Sequence, residues 1–317
     1  MHMTIAPSFH ARWRKVSIGV FAAGLAVQLA LAPVAQAQMI YVANNGDGTI
    51  GEYNSSTGAE INSALVSGLS VGATFSVAAS NNDLYTTSNT ITVSQYNAST
   101  GAALSSNFIT GQDGVISLAV ANGDLYVLNS GDGTVGLYNA STGAVINSTL
   151  VSGLSSPFSV SVGSGNLYVA NYGNNTIGAF NATTGATINS SLVTGLSGPT
   201  GVTVWGGNLY VANNSGQSIG EYNASTGAVL NASFITTGLS YPTDVAVANG
   251  DLYVTNNNIN SVGEYNATTG AVINSALVTG LSSPYSIAVT AVPEPAAWPL
   301  LAALAATGTV IIRKRRK

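Results

Sequence analysis

General acid–base and nucleophilic catalysis rest mainly on His, Cys and Lys together with hydroxyls and carboxylates, yet residues 38–290 of this chain contain no His, Cys, Lys or Arg. What is left for chemistry is carboxylate, amide, hydroxyl and phenol. Asp244 is the most suggestive of these. It stands second in a short segment, TDVAV, whose counterparts along the chain carry Ser76, Ser117, Ser159, Gly201 and Ser286. Several acids in such a ring could hold a divalent cation. A single acid among hydroxyls is a poor site, because calcium takes roughly six to eight oxygen ligands, usually with several carboxylates among them. Neither a catalytic set nor a resident cofactor or metal is expected.

A second group of polar residues recurs in five short stretches, 44–48, 129–133, 171–175, 213–217 and 256–260. They supply candidate binding residues Asp47, Asp132, Asn171, Tyr172, Asn213 and Asn256, with Tyr241 and Tyr285 in nearby segments. Amides and phenols of this kind suit a carbohydrate, and the acids a calcium-assisted surface. The same residue types also close tight turns, which accounts for each stretch taken singly. Asp47 and Asp132 stand two repeats apart, a poor arrangement for one shared ion. Asn54, Asn97, Asn139, Asn181, Asn223 and Asn266 open triplets that read as glycan acceptors but also as hairpin turns.

The elements that must position these residues come from a repeat. Tyr41, Tyr85, Tyr126, Tyr168, Tyr210 and Tyr253 are spaced by 44, 41, 42, 42 and 43 residues, and a glycine recurs in step at Gly58, Gly101, Gly143, Gly185, Gly227 and Gly270. A fixed period in this range marks propeller blades or a solenoid. Each unit reads as four short strands. Strand a is FSVAA (75–79) and its equivalents; a tight turn such as Asn122-Gly123 follows; strand b is the LYVAN type; strand c is TIGEYN (49–54) or TIGAFN (176–181); strand d is of the AVINSTLV (144–151) type. Period-two alternation with β-branched and aromatic residues predicts an all-β, six-bladed propeller of four-stranded antiparallel blades. In strand a, large residues such as Val160 and Val162 alternate with small ones such as Ser159 and Ser161, which lets neighbouring sheets stack closely near the axis. The chain enters at a strand b near residue 40 and leaves the repeats at a strand a near 287. The last strand must therefore complete the first blade, a three-plus-one clasp that removes an open edge.

Both ends read as delivery segments. Arg12, Arg14 and Lys15 precede an apolar run from Val16 to about Leu31, and Ala35-Gln36-Ala37 fits a signal-peptidase site with cleavage before Gln38. Residues 1–37 are thus a signal peptide and 38–290 the propeller. Residues 291–317 form a tail: Pro293-Glu294-Pro295, an apolar transmembrane segment over about 296–312, and the basic end Arg313 to Lys317, which stays on the cytoplasmic side. All eight cationic side chains lie in these ends and eleven of the twelve acids lie between them, so the propeller segment carries a formal charge of −11. Nucleic acid is excluded as a partner, because polyanions need cationic contacts.

The repeat resembles the NHL and YncE-like propellers, most clearly in VTVWGGNLYVANNSGQSIGEYNASTG (202–227), over all of residues 39–290. The tail resembles the PEP-CTERM sorting signal in its three parts. That likeness implies an exosortase-type processing enzyme, in addition to signal peptidase, and the envelope of a Gram-negative bacterium that makes exopolysaccharide. Propeller lyases of the streptogramin-inactivating type use histidine, which this domain lacks. A lactonase of the gluconolactonase type needs acidic and amide metal ligands at the channel mouth. The expected function is therefore an exported, non-catalytic surface or matrix scaffold, with polysaccharide or a surface protein as its partner. The alternatives are a carbohydrate- or calcium-binding module and, last, a metal-assisted hydrolase.

Overall fold

The computed structural model describes residues 38–80 and 82–290, and they form twenty-four strands, β1 to β24 in chain order, in six four-stranded sheets. Ala35, Ala37 and Pro293 to Pro295 lie outside the described residues, while Gln38 is the first within them and is buried. Among the described residues there is no helix. Every sheet is an antiparallel meander, as the sequence repeat predicts. The innermost strands a are β4 (Val77–Ser80), β8 (Val115–Ala121), β12 (Pro157–Gly163), β16 (Pro199–Trp205), β20 (Pro242–Ala248) and β24 (Pro284–Thr290). They pack side by side in that order, and β24 returns against β4, so the ring closes.

Closure uses the expected clasp. Blade 1 has the order β24-β1-β2-β3, with β1 (Met39–Asn44), β2 (Thr49–Asn54) and β3 (Glu60–Val66) from the start of the domain. Ile40 pairs with Val289 and Val42 with Ile287. The core is divided into six wedges, one between each pair of adjacent blades. One wedge joins blades 4 and 5 through Tyr168, Ile177, Leu209 and Val211, and another joins blades 6 and 1 through Tyr253, Val262, Ile40 and Ile287. Apolar burial, at roughly 25 cal/mol per Å², is thus almost wholly an inter-blade affair.

The repeated tyrosine of strand b and the N-A-[ST]-x-G turn are two halves of one joint. Tyr85 donates to Ala140 O at 2.6 Å, Tyr126 to Ala182 O at 3.2 Å and Tyr210 to Ala267 O at 2.7 Å, each reaching the turn of the next blade. The asparagine that opens the turn fixes it: Asn139 Oδ1 accepts the N–H groups of Ser141 and Thr142 and the Thr142 hydroxyl. The glycine is required twice over. Gly185 has φ +70°, and a Cβ there would sit 1.8 Å from Leu150 O of the preceding blade. These asparagines are therefore turn-formers.

Strand a of blade 2 is shorter than the 75–79 read from sequence, beginning at Val77. The Thr87 hydroxyl accepts the Phe75 and Ser76 N–H groups at 2.8 and 3.1 Å, taking the place of ladder bonds there. The Asn122-Gly123 and Asn249-Gly250 hairpins have both residues at positive φ, as a type I′ turn requires.

Candidate functional site

The second position of strand a builds a belt around the axis. Its side chain accepts the backbone N–H at the third position in the next blade: Leu118 N to Ser76 Oγ at 3.0 Å, Val160 N to Ser117 Oγ at 3.2 Å, Val202 N to Ser159 Oγ at 3.2 Å, and Val77 N to Ser286 Oγ at 3.4 Å. Gly201 cannot make the link to blade 6. Asp244 makes it instead within its own blade, since its Oδ1 accepts the Val245 N–H at 2.9 Å. Asp244 Oδ2 continues the belt by accepting Ile287 N at 3.2 Å and the Ser286 hydroxyl at 2.9 Å. One carboxylate thus does the work of two hydroxyls. A Cβ on Gly201 would approach Asp244 Cα to 2.8 Å, so the glycine is also what gives the larger side chain its room.

Burial pushes the Asp244 carboxyl up to about 6, against the opposing pull of its bonds from Ile287, Ser286 and Val245. Three protein donors already hold it, and the axial cleft beside it measures about 10 Å³, barely room for one water. No group of three or more His, Cys, Asp or Glu converges among the described residues.

The loops between strands b and c do share a face with the links between blades. Gly173 N donates to Ser155 O and Asn214 N to Gly198 O. The candidate residues on this face separate into three kinds. Asn171, Asn213 and Asn256 are buried, and each Oδ1 accepts the N–H of Ser155, Ser197 or Ser240 in the link that passes over it. They staple the loops and are not offered to a ligand. Asp47 and Asp132 are exposed and accept the hydroxyls of Thr49 and Thr134 at 2.8 and 2.6 Å inside their own turns, in blades 1 and 3. Tyr172 stands out toward solvent, half-exposed, with its ring 5.5 Å from Phe158.

Tyr172 belongs to a recess that the sequence reading did not assemble. The first position of strand a carries Phe75, Ile116, Phe158 and Tyr285 in four blades but Thr200 and Thr243 in blades 5 and 6. The large side chains meet over the axis: Tyr285 lies 5.1 Å from Phe75 and 6.1 Å from Phe158, which comes from the opposite blade. Where the two threonines stand, the cover is missing, and a recess of about 390 Å³ opens between Phe158, Tyr172, Tyr241 and Tyr285, with Asn214 and Asn257 on its wall. The run Phe, Ile, Phe, Thr, Thr, Tyr was the signal in the sequence. Burial, then the nearby charge of Asp244, raises the Tyr285 phenol far above its ordinary value. It remains a neutral donor.

A family model, PQQ_2, described as outer membrane protein assembly factor BamB, matches residues 46–276. Among solved structures, a chain of a nidogen/laminin complex is similar at 15% identity and TM-score 0.65, over 80% of this chain and 98% of the other. A protein of unknown function from Bacteroides caccae is similar at 17% identity and TM-score 0.61, over 80% and 99%. The computationally designed Ika8 protein is similar at 17% identity and TM-score 0.52, over 78% and 74%. These likenesses are of fold. No curated protein matches the chain in sequence.

Proposed function

We infer the function from membership and geometry together: the chain belongs to the PQQ_2 propeller family, and its one axial carboxylate is consumed by the fold. The reading is a non-catalytic interaction scaffold, exported to the cell envelope, whose working face carries the recess beside the axis. The observation that carries it is the contrast at that face. The ionisable group is tied to three protein donors, while aromatic side chains, Tyr172 and Tyr241 foremost, are left exposed. Burying amphipathic aromatics is how interfaces gain most of their binding energy. The finer likeness to NHL and YncE-type repeats fits the same role. A fold shared with a chain of a nidogen/laminin complex agrees with an interaction role but carries no partner across.

Export rests on the two ends of the chain. The N-terminal segment has the three regions of a secretory signal, and the tail has the parts of a PEP-CTERM signal, which gives signal peptidase and an exosortase-type enzyme as processing partners. Delivery to a surface rich in exopolysaccharide follows from that likeness. Fractionation of cells with detection of both termini tests it. Recovery in the envelope with loss of the first 37 residues is expected, and a cytoplasmic protein with an intact N-terminus overturns it. The second reading, a carbohydrate-binding module, is favoured by the tyrosines and amides of the recess. A glycan array on the full chain distinguishes the two, since an arrayed sugar captured in a Tyr172-dependent way would replace the scaffold reading.

A further inference from the structure

The recess joins amide oxygens and aromatic faces to a charge of one sign. The Thr200 and Thr243 hydroxyls donate to Pro242 O and Pro284 O, both at 3.1 Å. Asn214 and Asn257 direct Nδ2 to the same two carbonyls, at 3.1 and 3.3 Å. A carbonyl can only accept, so this orientation of the amides is fixed by their partners. Each amide thus commits one of its two N–H donors to the protein, and the Oδ1 atoms accept from no protein donor among the described residues. A ligand meets two uncommitted amide oxygens and the π-faces of Tyr172, Tyr241 and Tyr285, together with their phenol groups. The neighbouring axial cleft, which shares Phe158, Thr200, Thr243 and Tyr285 with the recess, contains the Asp244 carboxylate. The segment 38–290 has eleven acids and no cationic side chain. Acceptors, aromatic faces and negative potential without a competing cation select a flat, positively charged donor.

Tyr241 adds an independent sign. It sits at φ +51° in the link before strand a, where the equivalent positions are Ser156, Gly198 and Ser283. A bulky side chain in the left-handed region is strained, and such strain persists where the side chain is put to use. A small residue would suit the backbone better, and only the ring explains the tyrosine.

We propose that the recess over blades 5 and 6 is a receptor for a single arginine side chain presented by a protein partner, the guanidinium stacking on the tyrosines and donating to Asn214 and Asn257. The proposal rests on the scaffold reading and names the chemistry of its partner. Arginine is favoured over lysine because its planar fork stacks and donates at once, whereas an ammonium is a compact, strongly hydrated point.

The test uses the full chain in mild detergent at physiological salt and three probes: acetyl-Gly-Arg-Gly-amide, its lysine counterpart, and its citrulline counterpart, which keeps the shape and loses the charge. The arginine peptide is expected to bind at least tenfold more tightly than the citrulline peptide and several-fold more tightly than the lysine one. Tyr241→Gly is expected to weaken it at least tenfold while holding or raising Tm, because the glycine relieves the backbone. Equal binding of arginine and citrulline peptides, or binding unaffected by Tyr241→Gly, overturns the proposal. Capture of one envelope protein by wild type and Tyr241→Gly alike leaves the scaffold standing and removes the arginine receptor. Failure to capture any envelope protein removes the scaffold reading itself.

Discussion

The inner and outer strands of each blade are made of the same few residue types and are used in opposite ways. At the axis, the hydroxyl of Ser159 is buried and committed to Val202 N of the next blade. At the rim the outer strands are β3, β7 (Ala103–Ile109), β11 (Val145–Val151), β15 (Thr187–Val193), β19 (Val229–Ile235) and β23 (Val272–Val278). Their second position carries Ile61, Leu104, Ile146, Ile188, Leu230 and Ile273, each between 49% and 53% exposed. Small polar residues hold the inside together, and large apolar ones stand in water outside. Residue type alone does not say which is structural. Position relative to the neighbouring blade does, because the belt side chains have a backbone donor of the next blade to satisfy and the apolar side chains at the rim's second position have none.

The largest test of that contrast is at Gly201. Gly201→Ser gives the belt the hydroxyl it lacks, yet its Cβ would lie 2.8 Å from Asp244 Cα. Overpacking typically costs about 1–3 kcal/mol, and contact with backbone places this variant at the top of that range. Denaturant midpoints measure it. The cost should fall in the double variant Gly201→Ser, Asp244→Ser, because the belt link passes back to a hydroxyl and the larger side chain is gone. Equal costs in the two backgrounds would show that the two positions act independently.

The pH dependence follows from the same carboxylate. In the folded chain Asp244 titrates near 6, against 3.8 for the ordinary group. The folded state therefore holds the proton more tightly, and stability attributable to Asp244 is fully present below about 4 and is lost as pH rises through about 6. At 1.36 kcal/mol per unit the whole shift amounts to roughly 3 kcal/mol, and partial access to water brings the expected effect to about 2 kcal/mol. Glu52, Asp251 and Glu264 are raised by burial in the same direction. Among the described residues there is no ion pair for acid to break, because residues 38–290 contain no cationic side chain. Urea midpoints should rise from pH 7 to pH 4.5, and the slope should shrink in Asp244→Ser. A midpoint that falls with acid contradicts the reading.

A smaller effect isolates one belt link. Ser159→Ala leaves the Val202 N–H without its partner, at a cost of about 1–2 kcal/mol, between the net worth of a bond and the full penalty of a buried orphan donor. Ser161→Ala, two residues along the same strand and outside the belt, should cost less than half as much. Equal costs would make the belt incidental.

How much of this was legible in the sequence follows the same division. Periodicity showed six of each strand, and the start at a strand b and end at a strand a showed the clasp, since a ring admits one closure. The glycine turns and the type I′ hairpins were readable because φ is a property of a few adjacent residues. The belt was not readable, since the partner of Ser159 Oγ is a backbone N–H 43 residues away and serine reads simply as small. The loop candidates were placed on the right face but taken as one set. Burial separates Asn171, Asn213 and Asn256 from Tyr172, and burial depends on which link passes over each loop. The recess needed Thr200 and Thr243 to be seen as missing bulk, a comparison across repeats that attention to polar residues passed over.

The smallest stability effect belongs to the rim, where the reading is carried by association. Ile188→Ser should change stability by no more than about 0.5 kcal/mol, because the side chain is half in water already. Beside it, Asn189 Oδ1 accepts the Ser191 N–H at 3.0 Å, and the same bond recurs at Asn62, Asn147, Asn231 and Asn274. The pairing register breaks at this asparagine, where residues from Asn189 to Val193 oppose Ala179 to Ile177. The bulge and the side-chain bond withhold a backbone donor from an incoming strand, which is how exposed edges avoid pairing with another chain. Asn189→Val should therefore cost little in a single-chain unfolding experiment and yet promote concentration-dependent oligomers in analytical ultracentrifugation, more so than Ile188→Ser, which removes apolar surface and should reduce them. If Asn189→Val lowers the unfolding midpoint as far as Ser159→Ala and leaves association unchanged, the rim asparagine is a packing residue like the axial serine, and the division between the two strands fails.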